Sequence, residues 1–156
     1  MAVFVLCMAW YRNHRKPDGR CPVNATTEEK RHYALLGLQL LVLCILVAWD
    51  SFGLMNSLYG QLFWWDIIAH LLGGMWAALC FAWMLQYLNI RFSVLVCIAA
   101  ALCVGVLWEI YEFQASMIYS QFMPYSVDTV KDLINDVIGG WIAGYIAVRV
   151  GVVQRL

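Results

Sequence analysis

Charge is what this chain has least of. Only 13% of its 156 residues are Asp, Glu, Lys or Arg, against about 25% in a soluble domain. Ten acidic and ten basic residues cancel, so no net basic field is available to recruit nucleic acid. Proline is scarce: Pro17, Pro22 and Pro124 are the only three. None of the six cysteines stands in a CxxC pair. That spacing argues against a thiol redox motif or a zinc ribbon and leaves the cysteines as small buried hydrophobes. No GxSxG, HExxH or P-loop motif occurs, so no familiar nucleophile or phosphate cradle is present. The stretch from Met1 to Trp10 is apolar but too short to span a bilayer. It also lacks the basic leader and cleavage site of a signal peptide, and is expected to lie at the membrane interface or against a partner.

What is there is apolar and aromatic. Hydrophobic residues make up 63% of the chain, and mean hydropathy is +0.71. Four apolar stretches stand out, over about 33–49, 64–88, 92–113 and 130–148. A spanning helix needs roughly 20 such residues. No stretch contains proline, and none shows the two-residue alternation of a barrel strand. The expected fold is therefore an all-α integral membrane protein, a four-transmembrane-helix bundle over 26–156. It is preceded by an apolar and basic segment, 1–25. Thr26 with Glu29 forms a capping box for the first helix.

The basic residues orient the spans. Arg12, Arg15, Lys16, Arg20, Lys30 and Arg31 precede the first stretch. Arg91 sits between the second and third, and Arg149 and Arg155 follow the fourth. The loops 50–63 and 114–127 contain no Lys or Arg. The positive-inside rule then places both termini and Arg91 in the cytoplasm and the two longer loops outside. The second of these loops is apolar and is expected to form a partial lid. Asp50 is expected to end the first helix at the outer interface. The aromatic residues near the outer end read mostly as an interfacial belt.

Against this background the acidic residues are placed unusually. Asp66, Glu109, Glu112, Asp128, Asp132 and Asp136 fall inside or at the edges of apolar stretches, with His70 beside them. Asp66 and His70 are i, i+4; Glu109 and Glu112 are i, i+3; Asp128, Asp132 and Asp136 are i, i+4, i+8. Each set shares one helix face. The topology puts all seven within roughly 10 Å of the outer interface at ~1.5 Å rise per residue. Ionisable groups at membrane depth are costly and mark function by default. Lys131 lies one position off the Asp128/Asp132 face.

Six carboxylates so placed either bind a cation, share protons in a hydrogen-bonded network, or cap helix ends. Capping suits Asp66 and Asp128 at helix N-termini. It does not suit Glu109 and Glu112 at a C-terminus, where the dipole disfavours anions. A divalent metal held by all seven residues is the favoured reading. Oxygen ligands suit Mg²⁺, Mn²⁺ or Ca²⁺, and the histidine admits Fe or Zn²⁺. A carboxylate that does not itself touch the metal is expected to steady His70, and Asp136, the deepest, is the one of the seven expected to stand back from the metal. The glycine pairs Gly73–Gly74 and Gly139–Gly140, and the GxxxG of Gly140 and Gly144, suit close helix packing.

The motifs WWDIIAHLLGG, GVLWEIYEF and DTVKDLINDVIGG resemble those of YjdF-like small bacterial and archaeal membrane proteins. More distantly they are similar to VanZ-like proteins. The resemblance covers about 60–145 and points to the same seven residues. It implies a prokaryotic inner or plasma membrane and, through the VanZ-like group, cell-envelope or lipid chemistry. Two functions compete. One is metal-dependent chemistry on a lipid or envelope substrate, with Glu109 or Glu112 as general base. The other is a small accessory subunit of a larger membrane complex. The expected partners are the bilayer, and either other membrane proteins or further copies of the chain. No nucleic acid is expected.

Overall fold

A computed structural model describes residues 27–88, 90, 92–115 and 123–149. Residues Arg31–Leu156 make up one compact unit, separate from Met1–Lys30. The N-terminal segment, Thr26 of the capping box, the Arg91 turn and the middle of the loop 114–127 lie outside the described residues. So does the chain beyond Arg149.

Every regular element among the described residues is helical. Helix α1 is Thr27–Met55, a 3₁₀ turn follows at Leu58–Gly60, α2 is Phe63–Tyr87, α3 is Val94–Gln114 and α4 is Tyr125–Arg149. Three of the helices are long and apolar enough to cross a membrane: Arg31–Met55 of α1, α2 and α3. The fourth, at 25 residues, is about 37 Å long. It has the length but not the uniform apolarity.

Two helix ends fall elsewhere than expected. Helix α1 does not stop at Asp50 but continues to Met55. The Asp50 carboxylate accepts a hydrogen bond from the Tyr59 hydroxyl at 2.5 Å, so it is satisfied without ending the helix. The chain turns at Ser57, whose φ of 55° lies in the left-handed region, where helices commonly terminate. Helix α4 starts at Tyr125 rather than near 130. The Pro124 carbonyl accepts from the amides of Val127 and Asp128. Proline has no amide to lose there and its fixed φ suits a helix start.

The core is built mainly from small residues. Ala78, Leu79, Ala82 and Leu85 of α2 pack with Cys97 and Ala101 of α3, Ala143 and Ala147 of α4, and Leu35 and Val42 of α1. These belong to the C-terminal half of α2, the N-terminal half of α3 and the C-terminal half of α4. The acidic residues occupy the opposite halves. Glycine sets the spacing between α2 and α4. A Cβ on Gly74 would strike the Asp136 backbone, and one on Gly139 would strike the Leu71 carbonyl and the Met75 amide. Gly140 and Gly144 press on α3 at Ala101, Cys97 and Val94. Gly73 meets nothing within 4 Å, so it is not part of this packing. Where lipid is as apolar as the side chains, such close van der Waals fit is what holds helices together.

The cysteines only partly match expectation. Cys97 is buried and Cys80 half-buried, but Cys44 and Cys103 are exposed. On an outer surface this apolar, a small hydrophobe has no need of burial.

Candidate metal centre

Helices α2, α3 and α4 bring all seven predicted residues to one end of the fold. At the centre is His70, buried on α2. Its Nδ1 lies 3.3 Å from Asp136 Oδ2. An ionised Asp136 can only accept, and Nδ1 is then the donor. Its Nε2 faces Asp66 Oδ1 at 3.6 Å and Glu109 Oε1 at 4.0 Å, beyond hydrogen-bond reach. Two groups of ligand atoms gather within 4.8 Å of one another. One is Asp66, His70 and Asp132; the other is His70, Glu109 and Glu112.

Asp136 sits behind the imidazole, one turn deeper than Asp132. Room for it comes from α3, because a Cβ on Gly105 would collide with the Asp136 carboxylate. Glu109 is held from α4. Thr129 Oγ1 donates to its Oε2 at 2.8 Å, and the Tyr125 hydroxyl donates to its backbone carbonyl at 3.3 Å. Its other oxygen, Oε1, is buried with no hydrogen-bond partner. Glu109 is 6% exposed, so water does not compensate that atom. Asp132 Oδ1 is also buried and accepts no hydrogen bond, although Lys131 Nζ is 3.2 Å away. Glu112 is steadied by the indole of Trp108, which donates to its Oε1 at 2.9 Å.

Lys131 is where the sequence reading needs correction. Although one position off the aspartate face, its long side chain folds back among the acids. Nζ donates to Asp128 Oδ1 at 2.6 Å and Asp66 Oδ2 at 3.2 Å, and lies 3.2 Å from Asp132 Oδ1. Asp128 therefore belongs to the lysine, outside both ligand groups around His70. Trp108 and Tyr125, which the sequence places in the outer aromatic belt, and Thr129, which it does not mark, instead hold the acids. The signal for Trp108 was its i, i+4 spacing to Glu112; for Thr129 it was its place beside Asp128 on a polar helix start.

Lys131 and a charged His70 together would offset two of the six carboxylates. The remainder is unbalanced at low dielectric, where like charges are most costly. Just outside, Tyr59 adds a further polar group. Burial first, and then the Asp50 carboxylate to which it donates, hold its phenol well above the usual tyrosine range. It therefore stays a hydrogen-bond donor.

No curated protein and no solved structure matches the chain. A family model does, described as "Predicted membrane protein (DUF2238)". This agrees with the YjdF-like resemblance and adds no support for a VanZ-like one. Since the match runs over residues 23–152 and takes in all three motifs and the three helices that carry the acidic site, the chain belongs to the predicted-membrane-protein family DUF2238.

Proposed function

We propose that the chain is a four-span protein of a prokaryotic cell membrane that holds a divalent metal at its outward end. The ligands are His70 Nε2, Asp66, Glu109 and Asp132, with Glu112 beside them. The observation that carries this is the geometry of His70. Its Nδ1 lies against Asp136 at 3.3 Å and its Nε2 faces two carboxylate oxygens at 3.6 and 4.0 Å; in the neutral imidazole protonated at Nδ1, the Nε2 lone pair points at those oxygens. Anions turned on a lone pair repel it. A metal at ~2.0–2.2 Å from each ligand keeps neighbouring ligand atoms about 3–3.6 Å apart, so a small contraction closes the shell. The imidazole with a carboxylate behind it has the arrangement that fixes ring orientation in metal sites. One nitrogen with several oxygens suits Mn²⁺, Fe²⁺ or Zn²⁺ better than Mg²⁺ or Ca²⁺.

The fourth span is supported by the way α4 is turned. Asp132 and Asp136 are 3% and 4% exposed, while Val130, Ile134 and Trp141 are 57%, 54% and 56% exposed. Charges inward and hydrophobes outward suit a helix whose solvent is lipid. Arg31 near the start of α1 and Arg149 at the end of α4 belong to the opposite helix ends, and basic residues favour the cytoplasmic side, which supports an outward-facing site. A metal there would activate water against a lipid or envelope substrate, and Glu112, less deeply buried than Glu109, is the base placed to take the proton.

The test is metal analysis of protein purified in detergent, wild type against Asp132→Ala and His70→Ala. One divalent ion per chain in the wild type, lost in both variants, is the expected result. A wild type that folds stably without metal in the presence of excess Mn²⁺, Fe²⁺ or Zn²⁺ would leave a proton-sharing network in its place.

A further inference from the structure

The cation reading above treats the acids as one cluster, but their geometry divides them into two. Around His70 lies the gap just described, with the unpartnered Oε1 of Glu109 4.0 Å from Nε2. Above it, three carboxylate oxygens from α2 and α4 converge on one point 2.6 to 3.2 Å from each. That point is occupied by Lys131 Nζ. The two positions share a residue. Asp66 presents Oδ1 to His70 at 3.6 Å and Oδ2 to Lys131 at 3.2 Å. One carboxylate with an oxygen toward each of two cation positions is what bridges a pair of metals in helix-bundle sites.

We propose that Lys131 is a built-in cation filling the second subsite of a carboxylate-bridged pair, so that the chain holds a single metal where its acids could hold two. This rests on the metal site of the preceding section. The chemistry supports the exchange. An ammonium is a compact point charge with three donors, and here it donates to Asp128 and Asp66 and lies 3.2 Å from the Asp132 carboxylate, on two helices. It is tethered to α4, so it occupies the position without the entropy loss of capturing a free ion. Remove its charge and Asp66, Asp128 and Asp132 are left facing one another with nothing between them, which is the condition under which carboxylates take up a divalent ion. Lys131 thus sets metal number, and with it the class of chemistry: a single Lewis acid rather than a two-metal clamp.

The experiment is metal stoichiometry with Mn²⁺ as the probe, on full-length protein in detergent. Four forms are compared: wild type, Lys131→Met, Lys131→Gln, and Lys131→Met combined with Asp128→Asn. The expected result is one Mn²⁺ in the wild type and two in either lysine variant, with spin coupling between the ions in the electron paramagnetic resonance spectrum. The double variant should return to one. Thermal melting guards against misfolding: both lysine variants should melt lower than wild type in chelator and recover on adding Mn²⁺. One ion in wild type and still one in both lysine variants overturns the proposal and leaves the His70 site standing. No ion in wild type but one, dependent on Asp128, in the variants overturns the His70 site and upholds the role of Lys131. No ion in any form overturns both.

Discussion

At the scale of single residues, the site is set by who holds whom. Asp136 need not touch a metal to matter to the proposed site, because its contact with Nδ1 orients the His70 ring. Asp136→Asn should therefore weaken metal binding about 10- to 100-fold without removing a ligand, measured by competition with a chelating dye. Binding should also weaken as pH falls, because protons compete with the metal for the imidazole and the carboxylates. Tyr59 makes a separate prediction. Its phenol is held above the usual range, so the unfolded chain releases the proton as pH rises through about 10 while the folded chain keeps it. Stability contributed by that group is full below pH ~10 and is lost as pH climbs above it. Tyr59→Phe should cost about 1–2 kcal/mol near neutral pH, from the lost bond to Asp50, and should flatten the alkaline fall in melting temperature. An unchanged alkaline limb in the variant would show that Tyr59 does not titrate as argued.

At the scale of helices, glycine decides how near α2 and α4 approach, and so whether their acids meet. The contrast between neighbours is the test. Gly74 faces the Asp136 backbone, whereas Gly73 meets nothing within 4 Å. Gly74→Ala should cost about 1–3 kcal/mol by overpacking, and should lower metal affinity because α4 is pushed off the site. Gly73→Ala should stay within about 0.5 kcal/mol of wild type. Gly105→Ala is the sharper probe of function. Its Cβ would meet the Asp136 side chain rather than backbone, so the fold should persist while the carboxylate is displaced from His70. Melting temperature and metal affinity, read on the same samples, separate the two outcomes.

At the scale of the whole molecule, the fold is polarised along its helices. One half is an alanine-rich core and the other an acidic centre, with a largely apolar exterior around both. The proposed orientation rests on the sequence, in which nine of the ten basic residues flank the apolar stretches on the side assigned to the cytoplasm. In a cysteine-free background, Asn56→Cys and Ser120→Cys should label from outside intact cells, and Asn89→Cys should not. The reverse pattern would place the acidic site on the cytoplasmic face and overturn the proposed envelope substrate.

The sequence by itself determined the helical class, the three most apolar helices and the identity of the clustering residues. These are properties of composition and spacing, which survive without knowing any contact. Asp66 with His70, Glu109 with Glu112, and Asp128, Asp132 and Asp136 each share a face by periodicity alone. The tertiary structure decided what spacing cannot carry. Side-chain reach is not periodic, so Lys131, placed off the face by its helical angle, turned out to lie among three carboxylates. The start of α4 five residues before its apolar stretch depended on Pro124 and on Tyr125 and Thr129 finding Glu109 across the fold. Helix α4 averages its buried acids against its exposed hydrophobes, so only the packing shows which side faces out. The division of the acids between His70 and Lys131, with one oxygen of Asp66 toward each, exists only once three helices are in contact.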